Sequence, residues 1–323
     1  MKPRIFIDGR EGTTGLQIYD RLAKRGDIEL LQIDDAKRKD VAERKKLINS
    51  ADLVFLCLPD DAARESVSLI ENDSTRVLDA STAHRVAPGW AYGLPELSAE
   101  HYESIRNSKR VSNPGCHATG SILLLAPLTA AGLIPANYPL AITSITGYSG
   151  GGKKMIAEYE TSLRDERPDL DAPRLYSTGA DHKHIPEIIR YSGLEQTPAF
   201  IPIVADYPQG MQVIISLQIP GKRREVFEIL SAHYAKCKNI GVLDSGAPYA
   251  ASNWGAGTDN VSLSVLGHGD LIILTAQFDN LGKGASGAAV QNMNIMLGFG
   301  EYDGLVLMRS AEPSSPVHGR HKI

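Results

Sequence analysis

The stretch "RIFIDGREGTTGLQIYDRLAKRG" constrains the fold more than any other part of the chain. An apolar strand over residues 4–9 runs into glycines at 9, 12 and 15. Helical spacing then follows at Leu16, Tyr19 and Leu22, stopped by Gly26. Glycine combines left-handed dihedrals with close backbone approach, so such a turn offers bare N–H groups to a phosphate at a helix's positive end. Further strands are expected in "IELLQI" (28–33), "ADLVFLCLP" (51–59) and "RVLDAS" (76–81), with "DDAARESVSLIE" as a helix between the last two. Strands alternating with helices imply right-handed crossovers and a parallel sheet, here a Rossmann-type α/β unit. The spacing is G-x-x-G-x-x-G, and its position between strand and helix gives it weight. Gly12, Thr13, Thr14 and Gly15 are therefore expected to contact a dinucleotide, with Ser81 at the end of the fourth strand.

At 323 residues the chain exceeds the usual size of a single core. After Cys116 the texture changes. Strand-rich runs at 140–148, 211–220, 262–267 and 271–280 surround a helix at 223–237, which predicts a second, mixed α+β unit with its own sheet. A late helix of small residues within 284–300 is expected to return and pack on the first unit. The division predicted is residues 1–115 with 285–310 for dinucleotide binding, 116–284 for catalysis and dimerisation, and 311–323 as a tail. The net charge of −4 gives no general attraction to nucleic acid, and no apolar run is long enough to span a membrane. The N-terminus lacks the pattern of a signal peptide, and three scattered cysteines build no disulfide framework. A reduced, cytoplasmic enzyme is expected.

Of the three cysteines, Cys116 has special surroundings. In "SNPGCHATGSILLL" Pro114 and Gly115 make a sharp turn, and Cys116 stands where a helix apolar on all sides begins. A helix N-terminus with a basic neighbour lowers a thiol's pKa, which predicts an activated nucleophile. Cys57, within an apolar strand, and Cys237, near a helix end, read as structural. A nucleophile needs a proton manager, and "GADHKHIPEII" supplies His182 and His184. An extended backbone would put both on one face, with Pro186 opening the next helix. Metal binding is the competing account of H-x-H, but no third and fourth ligands are evident, so no metal is expected. His117 reads as a bystander, and His84 is unassigned.

Together these parts suggest cysteine-dependent hydride chemistry at an acyl carbon, through a thioester that is reduced to an aldehyde. A phosphate leaving group would want arginine, and Arg85 lies just past the fourth strand, at the ligand edge of the sheet. The cofactor signal is mixed. Asp34 and Asp35 favour the ribose hydroxyl of NAD, whereas Arg38 and Lys39 favour the 2′-phosphate of NADP; the expectation rests on Arg38 and NADP.

"SNPGCHATG", "YGLPEL", "HKHIPE" and "NLGKGASGAAVQNMN" together resemble the shorter form of the N-acetyl-γ-glutamyl-phosphate reductase family, from the glycine turn to about residue 300. The wider superfamily includes aspartate-semialdehyde dehydrogenase. The resemblance implies a Rossmann domain, a dimerising α/β domain, and NADPH-dependent reductive dephosphorylation of N-acetyl-γ-glutamyl phosphate in arginine biosynthesis. It also implies that Cys116 is the nucleophile, His182 the acid/base and His184 a substrate contact. Arg85 would bind the substrate phosphate, while Gly150, Asn280 and Lys283 would line cofactor and substrate. A homodimer or homotetramer is expected. Where the longer form reads D-F-R this chain has Ala83, His84 and Arg85, and its glycine turn is built differently. Alternatives are a reductase of aspartyl or aminoadipyl phosphates, a non-catalytic NADPH-binding redox sensor, and a cysteine hydrolase.

Overall fold

A computed structural model describes residues 1–244 and 249–308, so the expected tail at 311–323 lies outside the described residues. In chain order the elements are β1 (Arg4–Asp8), α1 (Thr13–Leu22), β2 (Glu29–Leu31), α2 (Val41–Ser50), β3 (Leu53–Leu56), α3 (Asp60–Ser68), β4 (Arg76–Asp79), β5 (Ala91–Tyr92), α4 (Ala99–Asn107) and β6 (Arg110–Ser112). There follow α5 (Cys116–Ala130), β7 (Ala141–Gly147), α6 (Gly152–Glu160), β8 (Arg174–Leu175), α7 (Ile185–Ser192) and β9 (Ala199–Ala205). The described elements close with β10 (Met211–Gln218), α8 (Arg223–Tyr234), β11 (Ile240–Leu243), β12 (Val261–His268), β13 (Leu271–Phe278) and α9 (Gly287–Leu297).

The first sheet has six parallel strands in the order β2-β1-β3-β4-β6-β5. Its central strand β3, "LVFL", is buried along its whole length, as a strand with both faces covered must be. The strands are shorter than their apolar runs suggest: 51–59 yields only Leu53–Leu56, because Cys57 to Pro59 turn out toward the ligand edge. α9 packs on this sheet through Ala289, Val290, Met293 and Met296.

The second sheet has seven strands in the mixed order β11-β12-β13-β10-β7-β9-β8. One face buries α5 and α8 in the largest apolar core of the protein. The other presents half-exposed Ile145, Ile201, Ile203 and Ile214. β9 is absent from the expected strands because Pro202 interrupts "AFIPIVA". It is tolerated because only the two-residue β8 lies outside it.

Two buried ion pairs join the sheets' dependants. Arg21 of α1 holds Asp259, ahead of β12, through two hydrogen bonds of 2.7 and 2.9 Å. The Lys283 ammonium donates to Glu96 at 2.6 Å and to Gln291 at 2.6 Å. Gln291 in turn donates to Glu96 at 2.9 Å. Lys283 was expected beside the cofactor. Its side chain is instead 1% exposed and committed to the interior, because burying Glu96 requires a cation. Replacing Lys283 with Met strands that carboxylate. We expect a loss of about 3–5 kcal/mol in urea unfolding, with part of it recovered by adding Glu96→Gln.

Candidate active site

The nucleotide end is built by the glycine turn. Gly9 has φ 89°, and a Cβ there would stand 2.4 Å from the Cys57 carbonyl oxygen; a Cβ at Gly15 would stand 2.5 Å from that of Gly9. Only glycine fits at either position. α1 begins without a side-chain cap and without an acidic residue in its first turn. Its first backbone bond runs from Leu16 N–H to the Gly12 carbonyl, so the amides of Thr13, Thr14 and Gly15 have no backbone partner. Thr13 Oγ1 is buried without a partner as well. These donors face a cavity of about 380 Å³, lined by Gly12, Thr13, Thr14 and Gly15 and closed by Ser149, Gly150, Gly152 and Lys153 of the other domain. Uncommitted amides, an orphaned hydroxyl and a positive helix end fit a pyrophosphate.

Ser81 takes no part in that lining. Its hydroxyl donates to Asp79 at 2.7 Å and accepts from the Ala83 amide, so it faces the fold's interior. His84 shares the same carboxylate, with Nδ1 2.6 Å from Asp79 Oδ2 and its ring stacked on Trp90. Past β2, Arg38 is exposed. The Asp34 carboxylate caps its own turn by accepting from the Ala36 amide at 2.9 Å. Arg10, passed over in the sequence because it sits inside the glycine motif, lies over the Tyr19 ring and 3.5 Å from Asp35.

A second cavity, of about 340 Å³, shares Thr14, Ala80, Gly150 and Leu281 with the first, so the two adjoin. It gathers Cys116, His182, His184 and Arg85, together with His117, Lys183 and Tyr176. Asn280 forms part of its wall, where it accepts from the Gly210 amide at 2.8 Å and donates to Ser149 Oγ at 3.0 Å. It thereby fixes the loop that carries Gly150.

Cys116 is the first residue of α5, and α5 is buried from His117 to Leu125. The turn before it tolerates only glycine: a Cβ at Gly115 would lie 2.4 Å from Arg85 Nη1, 2.5 Å from His184 Nε2 and 2.6 Å from Glu187 Oε1. From the far side, a Cβ at Gly284 would come within 2.9 Å of Cys116 Cβ. Glu187, missed in the sequence, organises this point. It accepts from Arg85 Nη1 at 2.7 Å, from Tyr92 Oη at 2.7 Å and from the Gly115 amide at 3.1 Å. Its only signal was its place at the end of "HKHIPE".

The thiol corrects an expectation. Burial pushes Cys116 up, outweighing Arg85, the His117 amide and Lys183, which all favour the thiolate. A helix N-terminus alone does not ionise a sulfur this enclosed, although the residue keeps partial exposure to the cavity. The H-x-H segment is likewise a turn and not an extended strand, delivered by left-handed backbone at Ser177 and Ala180. The rings of His182 and His184 still stand 4.7 Å apart. The His184 amide donates to His182 Nδ1 at 3.2 Å, which places the proton of the neutral imidazole on Nε2. His184 Nδ1 is buried with no partner. His117 joins the cluster, its ring 5.3 Å from His182, with hydroxyls of Ser144 and Tyr176 each 2.6 Å from a ring nitrogen. Burial and the nearby Lys183 hold His182 down at about 4, and burial with His182 holds His117 at about 3. The cluster is therefore neutral at pH 7. Among the described residues no group of three or more His, Cys, Asp or Glu is placed to hold a metal ion.

Comparison with known proteins agrees with this arrangement. Residues 15–105 match the family model for the semialdehyde dehydrogenase NAD binding domain, and residues 116–280 match the semialdehyde dehydrogenase dimerisation domain. An N-acetyl-gamma-glutamyl-phosphate reductase 2 of Nostoc sp. is 46% identical over 321 residues, covering 94% of this chain and 99% of the relative. One from Pseudomonas putida is 47% identical over 308 residues, covering 92% and 97%. The chain belongs to the N-acetyl-gamma-glutamyl-phosphate reductase family. Within that family it binds a nicotinamide cofactor through the first sheet. The fold is shared with aspartate semialdehyde dehydrogenase II from Vibrio cholerae complexed with ASA, at TM-score 0.70 and 16% identity over 92% of this chain and 99% of that one.

The neutral histidines make stability depend on pH. His117 titrates near 6.5 when exposed and near 3 in the fold, so below pH 6.5 the unfolded chain binds the extra proton. Stability falls as pH falls through that window. We expect about 1.5 kcal/mol to be lost to His117 between pH 6.5 and 5. Urea unfolding at the two pH values should show a shallower slope in His117→Gln.

Proposed function

We propose that this protein reduces N-acetyl-γ-glutamyl phosphate to N-acetylglutamate semialdehyde with NADPH, in the cytoplasm, through a thioester on Cys116. The observation that carries the reading is the pair of adjoining cavities, with Thr14, Ala80, Gly150 and Leu281 between them, that sets the bare amides of α1 beside Cys116, His182, His184 and Arg85. The Cys116 sulfur bonds to the acyl carbon, the carbon–oxygen bond to phosphate breaks, and the thiol proton leaves with the phosphate. When bound, the nicotinamide supplies the hydride that reduces the thioester. His182 serves as a neutral donor: its Nε2–H hydrogen-bonds the oxygen that gains negative charge, as an imidazole held well below 6.5 can do without losing its own proton. That oxyanion collapses to the aldehyde, the carbon–sulfur bond breaks, and the thiolate regains a proton from solvent. His184 Nδ1 and the Glu187-held Arg85 contact the acyl phosphate.

NADP is favoured over NAD because the acidic residues past β2 are engaged, Asp34 by its own turn and Asp35 by Arg10. Arg10 and Arg38 then receive the 2′-phosphate. The half-exposed isoleucines of the second sheet support pairing of two copies into a homodimer, or of two dimers into a homotetramer.

Two measurements test this reading. Cys116→Ser is expected to lose phosphate-dependent reduction of NADP by the semialdehyde while keeping NADPH-induced thermal stabilisation. Ordinary turnover in that variant refutes the thioester. Arg10→Ala combined with Arg38→Ala is expected to narrow the preference for NADPH over NADH by about tenfold or more, the loss of charge-assisted bonds to one phosphate. An unchanged ratio of kcat/KM values assigns the 2′-phosphate elsewhere.

A further inference from the structure

The charge balance of the catalytic cavity singles out one side chain that has no role so far. Arg85 is the deeper cation, and its charge is matched by Glu187 at 2.7 Å. His117, His182 and His184 are neutral, and burial keeps the Cys116 thiol protonated. That leaves Lys183, exposed at the edge of the cavity it lines. Among the described residues no carboxylate lies within 4 Å of its ammonium. Its charge is nonetheless felt by Cys116, His117, His182 and His184 in the cavity, and by Asp60 outside it. Asp60, held by the Thr82 amide and hydroxyl at 3.0 and 2.5 Å, forms no ion pair with Lys183, and its charge acts on Arg64 before Lys183. A phosphate dianion that enters or leaves beside Cys116 therefore meets one ammonium that, among the described residues, no carboxylate pairs at contact distance, Asp60 and Asp181 acting only from farther off.

We propose that Lys183 is the phosphate-recognition residue of this site: its ammonium holds the phosphate displaced from the acyl group, and the inorganic phosphate of the reverse reaction. The identity of the acyl phosphate rests on the reductase reading above; the anion site itself does not. Arg85, locked by Glu187 and the Asn113 carbonyl, supplies fixed hydrogen bonds, whereas Lys183 supplies net charge on a mobile stem.

The probe is inorganic phosphate, and the first readout is alkylation of Cys116 by neutral iodoacetamide. Phosphate is expected to slow alkylation of the wild-type holoenzyme, and Lys183→Gln to need about tenfold more phosphate for the same protection. Lys183→Arg should restore most of it. The second readout is turnover from semialdehyde, phosphate and NADP. Lys183→Gln should raise KM for phosphate about tenfold, with a smaller change in kcat and in KM for the semialdehyde, the pattern of lost ground-state binding. Undiminished protection in Lys183→Gln overturns the proposal, as does a KM effect confined to the semialdehyde. The latter would give Lys183 to the substrate's carboxylate. If the wild type fails to turn over the acetylated semialdehyde, the reductase reading falls, and the protection assay alone decides the anion site.

Discussion

One buried carboxylate sets the geometry on which the rest of the site depends. Glu187 stands on α7, yet its three donors come from the first sheet's ligand edge, from β5 and from the turn ahead of Cys116. A carboxylate with 1% exposure is tolerable only if its charge is matched and its lone pairs are filled. Arg85 matches the charge; Tyr92 and the Gly115 amide fill the remaining acceptors. The requirement works in reverse too. Because Glu187 must have all three, it fixes where Arg85 points and where α5 starts, and so the position of the sulfur relative to the dinucleotide turn. Glu96 repeats the charge matching at a second junction, where Lys283, Gln291 and Asn239 all donate to Oε1 and Oε2 is left without a partner. "YGLPEL" thus contributes Tyr92 to one buried carboxylate and Glu96 as the other. Its specificity as a motif is that of a joint between two sheets.

Around this frame the imidazoles and the thiol of the site are uncharged, and Lys183 supplies the charge at its edge. Three imidazoles are held neutral and the thiol is held protonated, all chiefly through burial. A preformed thiolate–imidazolium pair would place two opposite charges on groups that burial already disfavours charging, a desolvation cost that Arg85 and Lys183 do not offset at the sulfur. The arrangement instead delays charge separation until an anionic substrate is present. It also gives the tautomer of His182 a purpose: a ring that accepts from a backbone amide at Nδ1 can offer only a donor at Nε2. The group that best fits such a donor is an oxygen gaining charge.

How much of this could be read from the sequence depends on the range of each interaction. The parallel sheet was legible because strands buried on both faces, such as "LVFL", appear as unbroken apolar runs, and the glycine turn joins β1 directly to α1. β5 and β8, each of two residues, are too short for any periodicity, and Pro202 disguised β9. Cys116, His182, His184 and Arg85 could be singled out because their side chains carry chemistry under almost any fold. Glu187 could not: a glutamate early in a helix reads as a favourable charge near the positive end, and its partners lie 72 to 102 residues away. The error over Lys283 has the same origin. A lysine between two glycines looks like a cation delivered to a ligand, and its true partner, Glu96, is 187 residues distant.

The same logic explains why the motifs around the nucleophile combine cysteine with so many glycines. Each glycine here marks a place where another segment occupies the volume of a Cβ. At Gly115 that segment is the Arg85–His184–Glu187 group, at Gly284 it is Cys116 itself, and at Gly15 it is the carbonyl of Gly9. The loops are therefore not loose. Gly284 belongs to a short π-helical turn that is buried on its way into α9, and Gly115 is the N-cap of a helix buried from its first turn. Removing side chains from these positions lets neighbouring segments close in on one sulfur at the wall of the second cavity while the surrounding core stays closed. The thiol is rigidly placed and only partly exposed, and burial keeps it protonated at rest. Its reactivity has to come from what fills the cavity beside it.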